Sequence, residues 1–341
     1  MVILTIAIPS YNRPNELLRT LNSIKIKNDG LIEVLIIDDC SPLQNEITRV
    51  ISKVNHLKTI IKYIPLKNNI GFDENALNLV QNASGKYILF LTDDDIVNSE
   101  YLENLVYYLS ITKSKLIVTA YKTSNSEICR VFKRSYQTKL ISPKDYVKCI
   151  YNCILFSGII VSRECFLELN ISGVKGMIYS QVFWSILLAS KYGVSYIKEP
   201  VITTIGDGAI GWGTNKSEPE NLLLADRSNL FSPIAYHRAL LKTVQRAQEL
   251  VKVKFYYRFL YEYSLRSYQL FIRAYKIKKR AGLYLFFRAF MREKLPLNKN
   301  YFFIYIYFIT LFISGNSIEI FTKLFFSKSP AQLFKRIKNL D

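Results

Sequence analysis

The sequence predicts an α/β protein built on an open, mostly parallel sheet, followed by a helical, basic and aromatic C-terminal region. Three observations carry this. Short uncharged runs of Val, Ile and Leu alternate with amphipathic segments over the first hundred positions, at roughly thirty residues a unit, the rhythm of strand, crossover helix, strand. The runs end in polar or acidic residues, as at Asp38-Asp39 and Asp93-Asp94-Asp95. Beyond about residue 222 this pattern stops: residues 226–341 carry 22 Lys and Arg against 6 Asp and Glu, so most of the formal net charge of +19 lies there.

Val2 to Ile8 reads as a first buried strand ended by Pro9, with Ser10-Tyr11-Asn12 as the loop at its carboxyl end. Pro14 then opens a helix, in the first turn where its missing N–H is harmless. Ile32 to Ile37 is the second strand, a helix spans about 43–54, and Thr59 to Ile64 is the third strand. Lys67 to Gly71 is a loop, and a helix near 74–81 leads back to the fourth strand, Tyr87 to Leu91. That strand ends in three consecutive carboxylates.

The next stretch is looser. It reads as a helix over 99–109, a strand over 115–120, a hairpin or ragged strand pair over 128–140 and a helix from Pro143 to near Tyr151. A strand follows Gly158, a well-patterned helix covers 179–192, and strands fall at 196–197 and 201–205. Gly206 to Gly213, with Asp207 and Trp212, has the composition of an active-site lid. The expected division is a sheet domain over 1–220 and a helical, membrane-associating region over 221–341.

Parallel strands present their carboxyl ends on one edge, so the loops at Tyr11, Asp39 and Asp93 to Asp95 should meet in one crevice. Adjacent carboxylates at the mouth of a buried strand are unfavourable unless a cation or a set of donors meets them. Mg²⁺ or Mn²⁺ suits such a place, held by one or two carboxylates and open to substrate phosphates. Capping of the following helix is the plainer alternative for the same acids. No GxGxxG follows the first strand and no GxxxxGK[ST] occurs. A phosphate bound here is therefore met by metal or by Lys and Arg, not by a glycine-rich loop.

The five cysteines fit neither a zinc pattern nor a disulfide framework, which suits reduced thiols in a cytoplasmic protein. Met1 leads straight into the first strand, without the basic region and cleavage site of a signal peptide. Residues 300–318 are uncharged and just long enough to cross a bilayer. Their polar members, among them Asn300, Thr310 and Asn316, favour a helix lying in the interface or hidden in a helical cap over a single span. A basic, aromatic tail is attracted to an anionic membrane surface, so the expected location is peripheral, on the cytoplasmic face of the bacterial inner membrane. Nucleic acid is not an expected partner, because the tail is too apolar for a solvated groove-binding face and no RNA-binding motif is present.

Taken together, TIAIPSYNRPNELLRTLNSI, EVLIIDDCSP and NNIGFDENALNLVQNASGKYILFLTDDD resemble the opening blocks of the family 2 glycosyltransferases of GT-A fold. Residues 150–215 are more loosely similar to the branch that builds O-antigen and capsular polysaccharide, including abequosyltransferase-like enzymes. Residues beyond 225 carry no resemblance. The resemblance implies that Pro9, Tyr11 and Asn12 line the nucleotide of a nucleotide-sugar donor, with UDP the expected nucleotide. Asp39 would accept from the base and Asp93 would face the ribose. Asp94 would hold Mn²⁺ or Mg²⁺ against the diphosphate, and Asp95 would assist the metal or cap the next helix. A polyprenyl-diphosphate-linked saccharide is the implied acceptor.

One departure matters. The family's acceptor helix usually opens with an acid that deprotonates the attacking hydroxyl, and here the stretch reads Ile178-Tyr179-Ser180-Gln181. Asp207 is the substitute, as base, metal-side ligand or acceptor contact, with a turn-forming Asp-Gly as its alternative. Trp212 would stack on a sugar or anchor its loop. A catalytically silent nucleotide-sugar-binding protein is the rival expectation.

Overall fold

The computed structural model describes residues 1–205 and 231–266, apart from 27–28, 58–59, 131, 170 and 172. The first half alternates as its periodicity predicts: β1 (Leu4–Ser10), α1 (Pro14–Ser23), β2 (Ile32–Asp38), α2 (Gln44–Ser52), β3 (Ile61–Pro65), α3 (Phe72–Asn82) and β4 (Tyr87–Phe90). There follow β5 (Ile96–Val97), α4 (Leu102–Ile111), β6 (Leu116–Thr123), β7 (Ile128–Cys129), β8 (Tyr136–Thr138), α5 (Pro143–Asn152), β9 (Ile159–Ser162) and α6 (Arg163–Leu167). The described chain closes with α7 (Ser180–Tyr192), β10 (Val194–Thr204), α8 (Phe231–Leu250) and α9 (Tyr256–Arg266).

All these strands form one sheet in the order β3-β2-β1-β4-β9-β6-β10-β5, with β7 on β6 and β8 on β10. The four strands of the opening repeat pair in parallel. Their side chains alternate between two cores, as a period of two requires. Leu35, Ile37, Ile88 and Phe90 face one core. Val34, Ile36, Leu89 and Leu91 face the other. The first core is covered by α3, α5, α7, α8 and α9, and the second by α1, α2 and α4. Burial on both faces is why these strands read as unbroken apolar runs.

The second half differs from its sequence reading. β1 continues through Pro9, which pairs with Ile37 beyond Ala7, the last β1 residue matched to β4. The 128–140 segment makes no hairpin: β7 adds to β6 and β8 adds to β10, both antiparallel. β9 inserts antiparallel between β4 and β6, so the sheet is mixed beyond β4. The two expected last strands are one, with register shifts about Pro200 that a proline can occupy. β5, two residues long, carries too little sequence to announce itself.

Beyond the break in described residues, α8 and α9 belong to the sheet's own core. Tyr146 of α5 stacks on Phe255, with ring centroids 4.5 Å apart and planes 4° from parallel. Gln248 Oε1 accepts from the amides of Phe255 and Tyr256, each at 2.6 Å, which closes the turn between the two helices. Among the described residues no helix is long and apolar enough to cross a membrane, and the 300–318 segment lies outside them.

Candidate active site

Three loops leave the carboxyl ends of β1, β2 and β4 and are tied to one another. Asn12 takes a left-handed turn at φ 57° and donates its amide to Ser41 Oγ at 2.8 Å. Tyr11 N lies 3.4 Å from Asp93 Oδ2, and Asp39 N donates to Ser10 O at 2.9 Å. The β1 loop therefore joins the β2 acids to the β4 acids. Asp39 and Asp94 stand on one edge of one sheet.

Each acid has a distinct environment. Asp38 is fully buried behind the site, where it accepts from the Ser41 hydroxyl and from Tyr63 Oη. Burial raises its pKa, which the Ser41 and Tyr63 hydrogen bonds offset in part. Asp39 meets the start of α3: Oδ1 accepts from Ile70 N at 2.7 Å and Oδ2 from Gly71 N at 2.8 Å. Burial raises its pKa as well, opposed by those two amides. Gly71 has φ 84°, a conformation its lack of Cβ permits. Each Asp39 oxygen keeps a lone pair for another donor.

Asp93 is buried as well. Burial pushes it up to about 7, against the Arg13 guanidinium, which lowers it, and with Asp94, which raises it. Arg13 Nη1 stands 3.1 Å from both Asp93 Oδ1 and Asp94 Oδ2. The Arg13 charge is disfavoured by burial and more than restored by the two acids. Asp94 is the acid of the three that opens outward, its side chain 17% exposed against 7% for Asp93. Asp95 turns the other way, accepting from Thr92 Oγ1 at 2.8 Å. Burial raises its pKa to about 6, countered by hydrogen bonds from Ser157 and Thr92. The Thr20 hydroxyl of α1 lies 2.7 Å from Asp95 O and 2.9 Å from Asp93 O, which fixes the acidic turn from below.

Residues 5–159 match the family model described as Glycosyl transferase family 2. Over those residues, a little under half of its length, the chain is similar to the family 2 glycosyl transferases. Among its curated relatives is the glycosyltransferase GlyA of Streptococcus pneumoniae, 25% identical over 162 residues, which are 47% of this chain and 22% of GlyA. The poly(ribitol-phosphate) beta-N-acetylglucosaminyltransferase TarP of Staphylococcus aureus is 29% identical over 120 residues, 34% of this chain and 36% of TarP. The match thus spans about a fifth to about a third of those relatives' lengths. Staphylococcus aureus TarS 1–349, solved with UDP-GlcNAc, superposes with a TM-score of 0.51 at 17% identity, over 83% of this chain and 88% of that one. The Pyrobaculum calidifontis mannosyltransferase PcManGT, solved with GDP-Man and Mn²⁺, gives a TM-score of 0.50 at 14% identity, over 85% and 74%. At those identities the likeness is one of fold, and the fold is GT-A.

Within residues 5–159, the structure brings together Pro9, Tyr11, Asn12, Asp39, Asp93 and Asp94. Both Asp93 oxygens already serve Tyr11 and Arg13, so any ribose contact shares them. Asp207 and Trp212 lie outside the described residues. No three His, Cys, Asp or Glu side chains among the described residues are grouped to hold a metal ion by themselves. Among the described acids after β4, Asp94 offers an outward carboxylate, which suits an ion whose other ligands are diphosphate oxygens and water.

Arg13, Asn69 and Asp73 are site residues that the strand pattern did not single out. Asn69 Nδ2 donates to Asp39 O at 2.8 Å. Asp73, buried in the first turn of α3, accepts from Ile178 N at 2.9 Å just before α7. Ile178 sits at φ 66°, which a β-branched residue rarely adopts. Burial raises the Asp73 pKa, opposed by hydrogen bonds from Ser180, Ile178 and Met177. The helix that lacks its own opening acid thus receives one from α3.

Proposed function

We propose that the protein is a glycosyltransferase. It moves a sugar from a nucleotide-diphosphate donor, with UDP the expected nucleotide, to a saccharide hydroxyl on a polyprenyl-diphosphate carrier, in bacterial surface polysaccharide synthesis. One observation carries the reading: the loops after β1, β2 and β4 converge, with Asp39 and Asp94 at two ends of one crevice joined by Tyr11 to Arg13.

In this reading Tyr11 and Pro9 pack against the base, and Asp39, already oriented by Ile70 and Gly71, accepts from its N–H. Asp93 holds the Tyr11 loop and Arg13 in place. Asp94 and Arg13 bracket the diphosphate, where the charge of the departing nucleotide develops. Mn²⁺ or Mg²⁺ held by Asp94 would neutralise that charge when bound. Preorganisation is already present, since the acidic turn is fixed by Thr20, Thr92 and Ser157 and does not have to rearrange as the bond breaks.

The basic C-terminal region would bring the enzyme to an anionic membrane surface where a lipid-linked acceptor is presented. The relatives' names agree with surface glycopolymers as the product class, TarP being named for poly(ribitol-phosphate). A screen of UDP-, GDP-, CDP- and dTDP-sugars for thermal stabilisation, with and without Mn²⁺, tests the donor half. Selective stabilisation by one nucleotide class supports the reading. No stabilisation by any of them, at millimolar ligand, overturns it.

A further inference from the structure

We infer that a basic cavity between the segment before α7 and the middle of α8 binds a phosphate or diphosphate group of the acceptor. This rests on the glycosyltransferase reading and supplies its acceptor side. The cavity measures about 450 Å³, room for a diphosphate with some of its water, and is lined by Lys175, Lys242, Arg246, Met177 and Glu249 among others. Three cations thus face one carboxylate. Among the described residues neither Lys175 nor Lys242 is in an ion pair.

The walls are built before any ligand arrives. Arg246 donates Nη1 to Gly173 O, and its guanidinium lies over the Phe183 ring at 5.4 Å, so its plane is set. Gly173 has φ 64°, and a Cβ there would stand 3.1 Å from Arg246 Nη2. The far end of the segment is held through Ile178 N on Asp73 at 2.9 Å. Asp73 lies two residues past Gly71, whose amide is on Asp39. The cavity is thereby linked to the donor crevice through Ile178, Asp73 and Gly71.

A guanidinium held flat beside two mobile ammonium groups is a set that meets a phosphate from several sides. A neutral sugar would gain little from three cations. The acceptor carrier brings the diphosphate, and docking it here would leave its saccharide directed toward the start of α7.

The test uses the full chain and the double variant Lys175→Ala/Lys242→Ala, both positions being exposed, so that the fold is kept. Calorimetric titration with inorganic pyrophosphate, with the donor crevice saturated by the nucleotide diphosphate selected in the donor screen, is expected to show binding about tenfold weaker in the variant. In transfer assays with a short-chain prenyl-diphosphate saccharide, the acceptor KM should rise about tenfold while kcat and the donor KM hold. Unchanged pyrophosphate binding, or an unchanged acceptor KM, overturns the inference. So does a variant that loses only its adsorption to phosphatidylglycerol vesicles, since that would assign the lysines to lipid headgroups. Failure of the wild type to bind any nucleotide sugar would instead count against the glycosyltransferase reading, with the pyrophosphate arm still decisive for the cavity.

Discussion

Arg13 and Asp93, 80 positions apart in the chain, form a buried ion pair at 3.1 Å. The pair joins the first turn of the β1 loop to the acids after β4. The same guanidinium nitrogen reaches Asp94 at 3.1 Å, so one cation organises both acids. With their ordinary partner present, two adjacent carboxylates are tolerated in a place that would otherwise repel one of them.

Arg13→Ala leaves Asp93 buried without its cation. Loss of one partner of a buried pair costs roughly 3 kcal/mol or more, so the urea midpoint should fall clearly, and Arg13→Lys should recover part of it. A midpoint equal to wild type for Arg13→Ala would show that the pair contributes nothing.

Stability should fall as pH rises from about 4 to about 7. Asp93 and Asp95 are raised to about 7 and about 6, so over that window the folded chain holds protons that the unfolded chain has released. The folded state is then favoured at the acidic end, and the contribution is lost once the pH exceeds the folded values. Asp95→Asn keeps the shape, removes one of the two titrations, and should flatten the slope. Thermal melting at pH 5.0 and 7.5 checks this, with the stability difference between the two pH values smaller by about 1.4 kcal/mol in the variant, the Asp95 part. Parallel slopes for the two proteins would contradict it.

Asp73→Ala removes the acceptor that satisfies Ile178 N in a strained conformation. A buried amide left unpartnered costs about 1–3 kcal/mol. The loss should concentrate at the entry to α7, seen as faster amide hydrogen exchange over 177–182, whereas β1 and β2 keep their protection. Uniform acceleration across the chain would mean Asp73 serves only global stability.

Much of this was legible in the sequence because the opening strands are buried on both faces and end in polar residues. Ile36-Ile37-Asp38-Asp39 and Leu89-Phe90-Leu91 followed by the acids announce both a strand and its carboxyl end. From Ile128 onward legibility fell, because β7 and β8 are two and three residues long, and β8 finds its partner β10 far away in the chain. Arg13 stood in the sequence only as part of the opening of α1, since nothing local shows that a guanidinium will be drawn beneath the crevice by acids 80 positions on. Asp73 fell just before the helix read near 74–81 and was not singled out. Its use in pinning Ile178 depends on tertiary packing of α3 beside α7, which no periodicity encodes.

Asp39→Ala should affect binding before chemistry. It removes the acceptors for Ile70 N and Gly71 N as well as the proposed contact to the base. Donor affinity should fall about tenfold to a hundredfold by calorimetry, and the base preference seen with wild type should relax. Retention of both affinity and preference would place the base elsewhere.

The measurement that bears most directly on the account is sugar transfer by Asp94→Ala, followed as nucleotide release from the donor selected in the screen, across a Mn²⁺ series, beside circular dichroism of the same sample. Asp94 is the outward acid on the shared rim, so the variant should keep its fold and lose at least about a hundredfold in kcat, with no recovery at high Mn²⁺. Wild-type turnover from a correctly folded Asp94→Ala protein would show that the crevice between Asp39 and Asp94 is not where the sugar leaves its nucleotide.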